Sequence, residues 1–258
     1  MTSNISLSKS FDNLFLNNMY ISLRHTQNTS NNIVSLTIPE LSINSQRIYP
    51  FKFLNKSINE KWYEKISIRY NMNSRNTITT ADSLLFTQNS ISKFRNGIKH
   101  NIPITASLKI LKYFNFNPSL NITERWYLNR IEKTWDDINT ILLTDTVNKF
   151  TRGLDYNFSA GFNTKIYGLF NFKNKKIEAL RHVITPSISF RYTPDFSSEK
   201  YNYYQNVQIN SQGESEQYSI MSNGIFGSPT NRKTGNINFN LGNIWFIASS
   251  INSSSFSA

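Results

Sequence analysis

The stretch Leu154-Asp155-Tyr156-Asn157-Phe158-Ser159-Ala160-Gly161-Phe162-Asn163-Thr164-Lys165-Ile166-Tyr167-Gly168-Leu169-Phe170-Asn171-Phe172 decides the fold. Leu154, Tyr156, Phe158, Phe162, Ile166, Phe170 and Phe172 share one parity, and Asp155, Asn157, Ser159, Asn163, Lys165 and Asn171 share the other. Only Tyr167 and Leu169 break the polar row. Successive side chains of a strand point to opposite faces, so this segment has one apolar and one wet face; a helix would scatter the same residues around its circumference. It is also long. About 9–11 residues cross a bilayer as a tilted strand, whereas soluble strands run about 5–6.

The same period recurs along the chain. Trp62, Ile66, Ile68, Tyr70 and Met72 oppose Tyr63, Lys65, Ser67, Arg69 and Asn71. Ile98, Ile102, Ile104, Ala106, Leu108 and Ile110 oppose Lys99, Asn101, Thr105, Ser107 and Lys109. Phe114 to Leu128, Ile184 to Tyr192 and Asn236 to Leu241 repeat it, with weaker copies at Ile5 to Phe11 and Met19 to His25. Val34, Leu36 and Ile38 alternate, then Leu41 and Ile43 continue on the other parity, which predicts a bulge or tight turn at Pro39-Glu40. Pro103 and Pro118 fall within strands, and each implies a bulge, an edge or a local break, because proline donates nothing to a ladder. The expected fold class is all-β: an antiparallel transmembrane β-barrel segment of roughly ten long strands. If these strands belong to a larger barrel, they form a curved open sheet or an incomplete barrel with two unpaired edges.

Composition narrows the function. In 258 residues there is no run of about 18 apolar residues, so no transmembrane helix is expected. Cysteine is absent, which excludes disulfides and thiolate metal sites. Met1-Thr2-Ser3-Asn4 lacks a charged region followed by an apolar one, so an export signal is expected upstream of this sequence. No phosphate-loop, nucleophile-elbow or zinc-protease pattern occurs. His25, His100 and His182 show no ligand spacing, and no cofactor or metal is expected. Glu64 and Glu124 are two carboxylates near strand ends. Their neighbours Trp62 and Trp126 favour a place at headgroup level over a catalytic pair.

The net charge is +12. Lys65, Arg69, Lys99, Lys109, Arg125, Lys165, Arg181 and Arg191 all fall on the polar parity, with Asp155 the main acid there. If the apolar face meets lipid, these cations line the interior and would attract an anion such as a phosphorylated glycolipid; an ordinary wet, charged lumen reads the same way. Neither a recognition helix nor a compact basic patch marks a nucleic-acid binder.

Four connections read as loops: Gln46 to Lys61, Ser74 to Asn96, Asn129 to Lys149 and Pro194 to Arg232. Within the third, Thr134-Trp135-Asp136-Asp137 reads as a helix N-cap box and predicts a short helix. Lys173-Asn174-Lys175-Lys176 reads as a short hairpin turn.

One ordered set of motifs resembles a known family. The run Arg181-His182-Val183-Ile184-Thr185-Pro186-Ser187-Ile188-Ser189-Phe190-Arg191-Tyr192-Thr193-Pro194-Asp195-Phe196 resembles the barrel of LptD, the lipopolysaccharide-assembly outer-membrane protein, in its Bacteroidota-type branch. So do Arg47-Ile48-Tyr49-Pro50-Phe51, Trp62-Tyr63-Glu64-Lys65, Asp82-Ser83-Leu84-Leu85-Phe86, Gly97-Ile98-Lys99-His100, Thr123-Glu124-Arg125-Trp126-Tyr127 and Thr164-Lys165-Ile166-Tyr167-Gly168. The resemblance covers residues 1–243, leaving 244–258 as a divergent Ser-rich tail, and nothing in the sequence looks like the family's periplasmic jelly-roll. It implies a non-enzymatic part of the translocon that inserts lipopolysaccharide into the outer leaflet of the bacterial outer membrane. The implied partners are lipopolysaccharide, outer-membrane lipids, a lipoprotein plug similar to LptE and the periplasmic Lpt bridge. The alternatives that fit the strand pattern are a general porin-like channel and a soluble β-sandwich adhesin, whose apolar parity would be buried against a second sheet.

Overall fold

The period-two segments form one antiparallel sheet in the computed structural model, which describes residues 1–12, 15–54, 60–85, 87, 90, 93–172 and 179–248. In chain order the strands are β1 (Thr2–Ser10), β2 (Leu16–Asn28), β3 (Ile33–Ser45), β4 (Ile66–Ile68), β5 (Asn71–Ala81), β6 (Arg95–Ala106), β7 (Leu108–Ile110) and β8 (Phe114–Tyr127). They continue with β9 (Arg130–Asp136), β10 (Ile141–Val147), β11 (Thr151–Asn163), β12 (Ile166–Asn171), β13 (Ala179–Thr193), β14 (Tyr204–Gln208), β15 (Ser215–Ser219) and β16 (Thr234–Ala248). Two hairpins, β9–β10 and β14–β15, stand apart from the sheet; the other twelve strands belong to it. Among the described residues β1 pairs only with β2 and β16 only with β13, so the sheet is open, as expected of an incomplete barrel.

The twelve strands make nine long runs, because three pairs are collinear. The register of β11 on β13 (Phe158 opposite Tyr192) continues unbroken in β12 (Ile166 opposite Ile184). Likewise β4 and β5 share one register on β6, and β6 and β7 share one on β8. Proline sits at every gap. Thr164 N donates to Pro186 O at 3.3 Å and Arg69 N to Pro103 O at 3.1 Å. Neither proline has an N–H to return the bond. The gap at Ser107 lies beside Pro118 in the facing strand. The predicted slip at Pro39-Glu40 is a register shift between Thr37 and Glu40.

Alternation assigns the two faces. Phe158, Phe162, Ile166 and Phe170 are 38%, 40%, 53% and 53% exposed, and Phe239 on β16 reaches 69%. No second sheet covers them among the described residues, which removes the sandwich alternative. Several other expectations change. The predicted helix at Thr134 is instead the β9–β10 hairpin. Asp136 Oδ1 does accept from the backbone N–H groups of Ile138 (2.9 Å) and Asn139 (3.1 Å), but this caps a turn closed by Thr140 at φ 52°. The Ser74–Asn96 connection is shorter than read, since β5 runs to Ala81 with Thr77, Ile78, Thr79 and Thr80 paired to β3. Trp62–Lys65 is a 3-10 turn rather than strand. The strand holding Leu241 runs on to Ala248, past the boundary placed at 243, while the turn read at Lys173–Lys176 lies outside the described residues.

Phe158 sits mid-strand on the apolar face, whereas Ser159 faces the polar side. Phe158→Lys is expected to destabilise the bilayer-inserted protein by about 2–4 kcal/mol and Ser159→Lys by less than about 1 kcal/mol, as for lipid-facing against lumenal barrel positions. Denaturant titration of the chain in liposomes measures both.

Candidate functional site

The polar face is built in rows, because antiparallel register brings residues of like parity side by side. One row runs Asn18, Asn44, Asn71, Asn101, Thr123 and Asp155 across β2, β3, β5, β6, β8 and β11. The next runs Tyr20, Ser42, Asn73, Lys99, Arg125 and Gly153. Side chains bond across strands: Asn44 Nδ2 to Asn18 Oδ1 (2.8 Å), Asn73 Nδ2 to Ser42 Oγ (2.9 Å), Ser67 Oγ with Thr105 Oγ1 (2.9 Å), and Ser119 Oγ with Ser159 Oγ (2.6 Å). The result is a wall of neutral amides and hydroxyls that a hydrated path can wet.

Two clefts lie on this wall. One of some 550 Å³ is bounded by Asn18, Asn44, Gln46, Arg47, Arg69 and Asn71. The other, some 460 Å³, is bounded by Ser42, Asn44, Asn71, Lys99, Asn101 and Thr123. They share Asn44 and Asn71 and so form one trough carrying Arg47, Arg69 and Lys99. Among the described residues no carboxylate forms an ion pair with these three cations. The wall's own acids are taken: Glu40 by Arg75, and Asp155 by Arg125 at 3.0 Å.

Above the trough, the loop end of the wall is capped. The segment 194–232, read from sequence as a loop, folds back onto the polar face with the β9–β10 hairpin. Tyr127, Ile131, Val207, Tyr218, Ile220 and Met221 form the buried core of this cap. The wall holds it by its carbonyls: Arg95 Nε donates to Asn223 O (2.9 Å), Arg125 Nε to Phe226 O (3.1 Å) and Tyr127 OH to Gly227 O (2.7 Å). The Arg75 guanidinium lies 5.9 Å from the Phe226 ring centre. Tyr204 OH donates to Pro229 O at 2.5 Å, and burial pushes that hydroxyl above its usual range. Close approach requires glycine at two wall positions. A Cβ at Gly97 would lie 2.7 Å from the Tyr127 ring, and one at Gly153 would lie 2.7 Å from Met221 Sδ.

The structure separates the cations read from sequence. Lys99 and Arg69 meet in the trough, joined by Arg47, which the sequence reading did not single out. Arg125 lies on the polar wall but is buried beneath the cap and paired, so it is not open lining. Lys65 sits in the 3-10 turn at the far end and pairs with Glu60 at 3.7 Å, not on a strand. Lys109 on β7 and Lys165 in the proline gap lie toward that same turn end, and Arg191 stands on β13 opposite Ser159 and Asn236. Arg75 and Arg95 were missed because the sequence reading ended one strand before Arg75 and began the next after Arg95, whereas β5 and β6 include them.

The apolar face carries its own polar belt. Glu124 accepts from Trp126 Nε1 at 2.6 Å and from Arg152, and His100 Nδ1 bonds Tyr70 OH at 2.7 Å with its ring 4.2 Å from Trp126. This matches an aromatic girdle at headgroup level. At the other end His182 stacks on Trp245 at 3.6 Å. Glu64 and Glu124 lie at opposite ends of the sheet, so they form no carboxylate pair.

A family model described as LptD protein matches residues 1–249. No curated protein and no solved structure matches the chain.

Because Tyr127 is at once the core of the cap and its bond to the wall, Tyr127→Ala is expected to detach residues 220–230. Large-to-small changes at buried aromatics cost about 3–5 kcal/mol. Where cleavage follows the open population, proteolysis after Phe226 should accelerate at least about tenfold, as peptide mapping after limited chymotrypsin digestion would show.

Proposed function

This chain belongs to the LptD family, and we propose that it forms a section of the barrel wall through which lipopolysaccharide reaches the outer leaflet. The family serves lipopolysaccharide transport and assembly at the outer membrane and is not one of enzymes. The apolar face meets acyl chains, and the polar wall lines the path. Three of the four long connections, those joining β5 to β6, β8 to β11 and β13 to β16, lie at the end where the cap stands, and the one joining β3 to β4 lies at the other; this majority favours the cap end as the outer one. The observation that carries the reading is the trough: Arg47, Arg69 and Lys99 stand on an amide-lined wall with no carboxylate partner among the described residues. Phosphate groups of a glycolipid are the complementary charge, and a guanidinium reads them with paired N–H donors. Lys109 and Lys165 continue the cationic lining toward the turn end, and Arg191 stands near the loop end of β13. A lipoprotein plug and the periplasmic Lpt bridge are the proposed partners, the first facing the uncapped part of the polar wall.

Charge reversal in the trough leaves the lipid face intact, so Arg69→Glu combined with Lys99→Glu is expected to preserve heat-modifiable migration and protein level. In the parent bacterium it should lower surface lipopolysaccharide, measured by antibody labelling of intact cells, severalfold. Unchanged surface lipopolysaccharide would overturn the reading. A general porin would instead show steady ion conductance in planar bilayers with no change in surface lipopolysaccharide.

A further inference from the structure

Tyr167 and Leu169 interrupt an otherwise polar row, and the sheet shows what they join. Register sets Tyr167 beside Val183 and Ile244, and Leu169 beside Arg181 and Phe246, all on the polar-parity face at the turn end. Elsewhere the rows described on that face are mainly asparagine, serine, threonine and charged residues; here Tyr167, Leu169, Ile244 and Phe246 are 56%, 64%, 51% and 53% exposed. The opposite face of the same strands is apolar too, with Phe170, Trp245 and Ile247 exposed. This corner is therefore apolar on both sides, which a lipid-facing surface alone does not explain.

One charge stands in the inner patch. The Arg181 guanidinium lies 5.0 Å from the Tyr167 ring centre and 5.8 Å from that of Phe246. Aromatic faces hold a guanidinium in place without neutralising it. Among the described residues Arg181 has no carboxylate partner. A fixed cation bounded by exposed apolar side chains is complementary to a molecule with an anionic head and an apolar tail.

We propose that Tyr167, Leu169, Arg181, Val183, Ile244 and Phe246 form an amphiphile-binding site on the inner wall. The phosphate of the ligand meets Arg181, and its acyl chains lie along the apolar side chains. This rests on the reading that the polar-parity face lines the lumen, and it adds a second contact, separate from the trough.

The test is photolabelling of the full chain in nanodiscs of neutral phosphatidylcholine, with labelled residues mapped by mass spectrometry. The probes are a diazirine-bearing hexadecyl phosphate and the corresponding neutral hexadecanol. The phosphate probe is expected to label Tyr167, Leu169, Ile244 and Phe246, and excess unlabelled hexadecyl phosphate should compete. Arg181→Gln should reduce that labelling about tenfold while leaving hexadecanol labelling of outward Phe170 and Ile247 unchanged. Heat-modifiable migration confirms that the variant is folded, and Arg181→Lys, which keeps the charge, should restore part of the labelling. Equal labelling of both faces by both probes, insensitive to Arg181→Gln, would overturn the proposal. So would an inner face that neither probe reaches, which would mean another polypeptide segment covers it. If the site fails while trough variants still lower surface lipopolysaccharide, the proposed function stands without it; if trough variants also have no effect, both fail.

Discussion

The whole arrangement depends on the backbone. In hydrocarbon every N–H and C=O must find a partner within the protein, which leaves strands spanning the bilayer only as members of a continuous ladder. Here nine long runs share that ladder, and alternation then fixes two chemically opposite surfaces. Phenylalanine and isoleucine project on one side, and asparagine, serine and threonine on the other. Prolines 39, 103, 118 and 186 mark the places where the ladder weakens, since each removes a donor from an otherwise regular register. The outer edges of β1 and β16 remain without partners among the described residues, so the same constraint demands further strands there.

The polar wall divides into zones. At the loop end a folded cap, with its own apolar core, is fixed by arginine and tyrosine donors to loop carbonyls and by glycines that admit close contact. Below it the trough exposes cations among neutral amides, with no carboxylate paired to them among the described residues. At the turn end near β16 the wall turns apolar around Arg181. The acids on the wall, Glu40 and Asp155, are each held by an arginine, so the open zones are cationic although the wall contains carboxylates.

What could be read from sequence follows from how local the cause is. Strand alternation is local, and Leu154 to Phe172 is one strand interrupted only at the proline gap, as its parity implied. The bulge at Pro39 was legible for the same reason, whereas β6 and β8 run unbroken through Pro103 and Pro118 and the ladder is interrupted in the strands facing them. The Asp136 cap was legible as chemistry but not as outcome, because an aspartate accepting two backbone N–H groups caps turns and helices alike. The fate of residues 194–232 was not legible: no period marks them, and their burial is decided by Tyr127, Gly97 and Gly153, far away in sequence. That is also why Arg125 read as open lining and lies under the cap. Lys65 was misplaced because Trp62–Lys65 continues a strand pattern yet turns, while Arg47 and Arg75 gained their places only when β3, β5 and β6 were set side by side.

The most direct measurement is site-directed nitroxide scanning of residues 156–163 in the bilayer-reconstituted chain, which has no native cysteine to remove. Collision rates with oxygen and with a water-soluble nickel chelate should alternate out of phase. Positions 156, 158, 160 and 162 should favour oxygen, and 157, 159, 161 and 163 should favour the chelate. In-phase profiles, or occlusion of the even positions from both reagents, would contradict a lipid-facing wall.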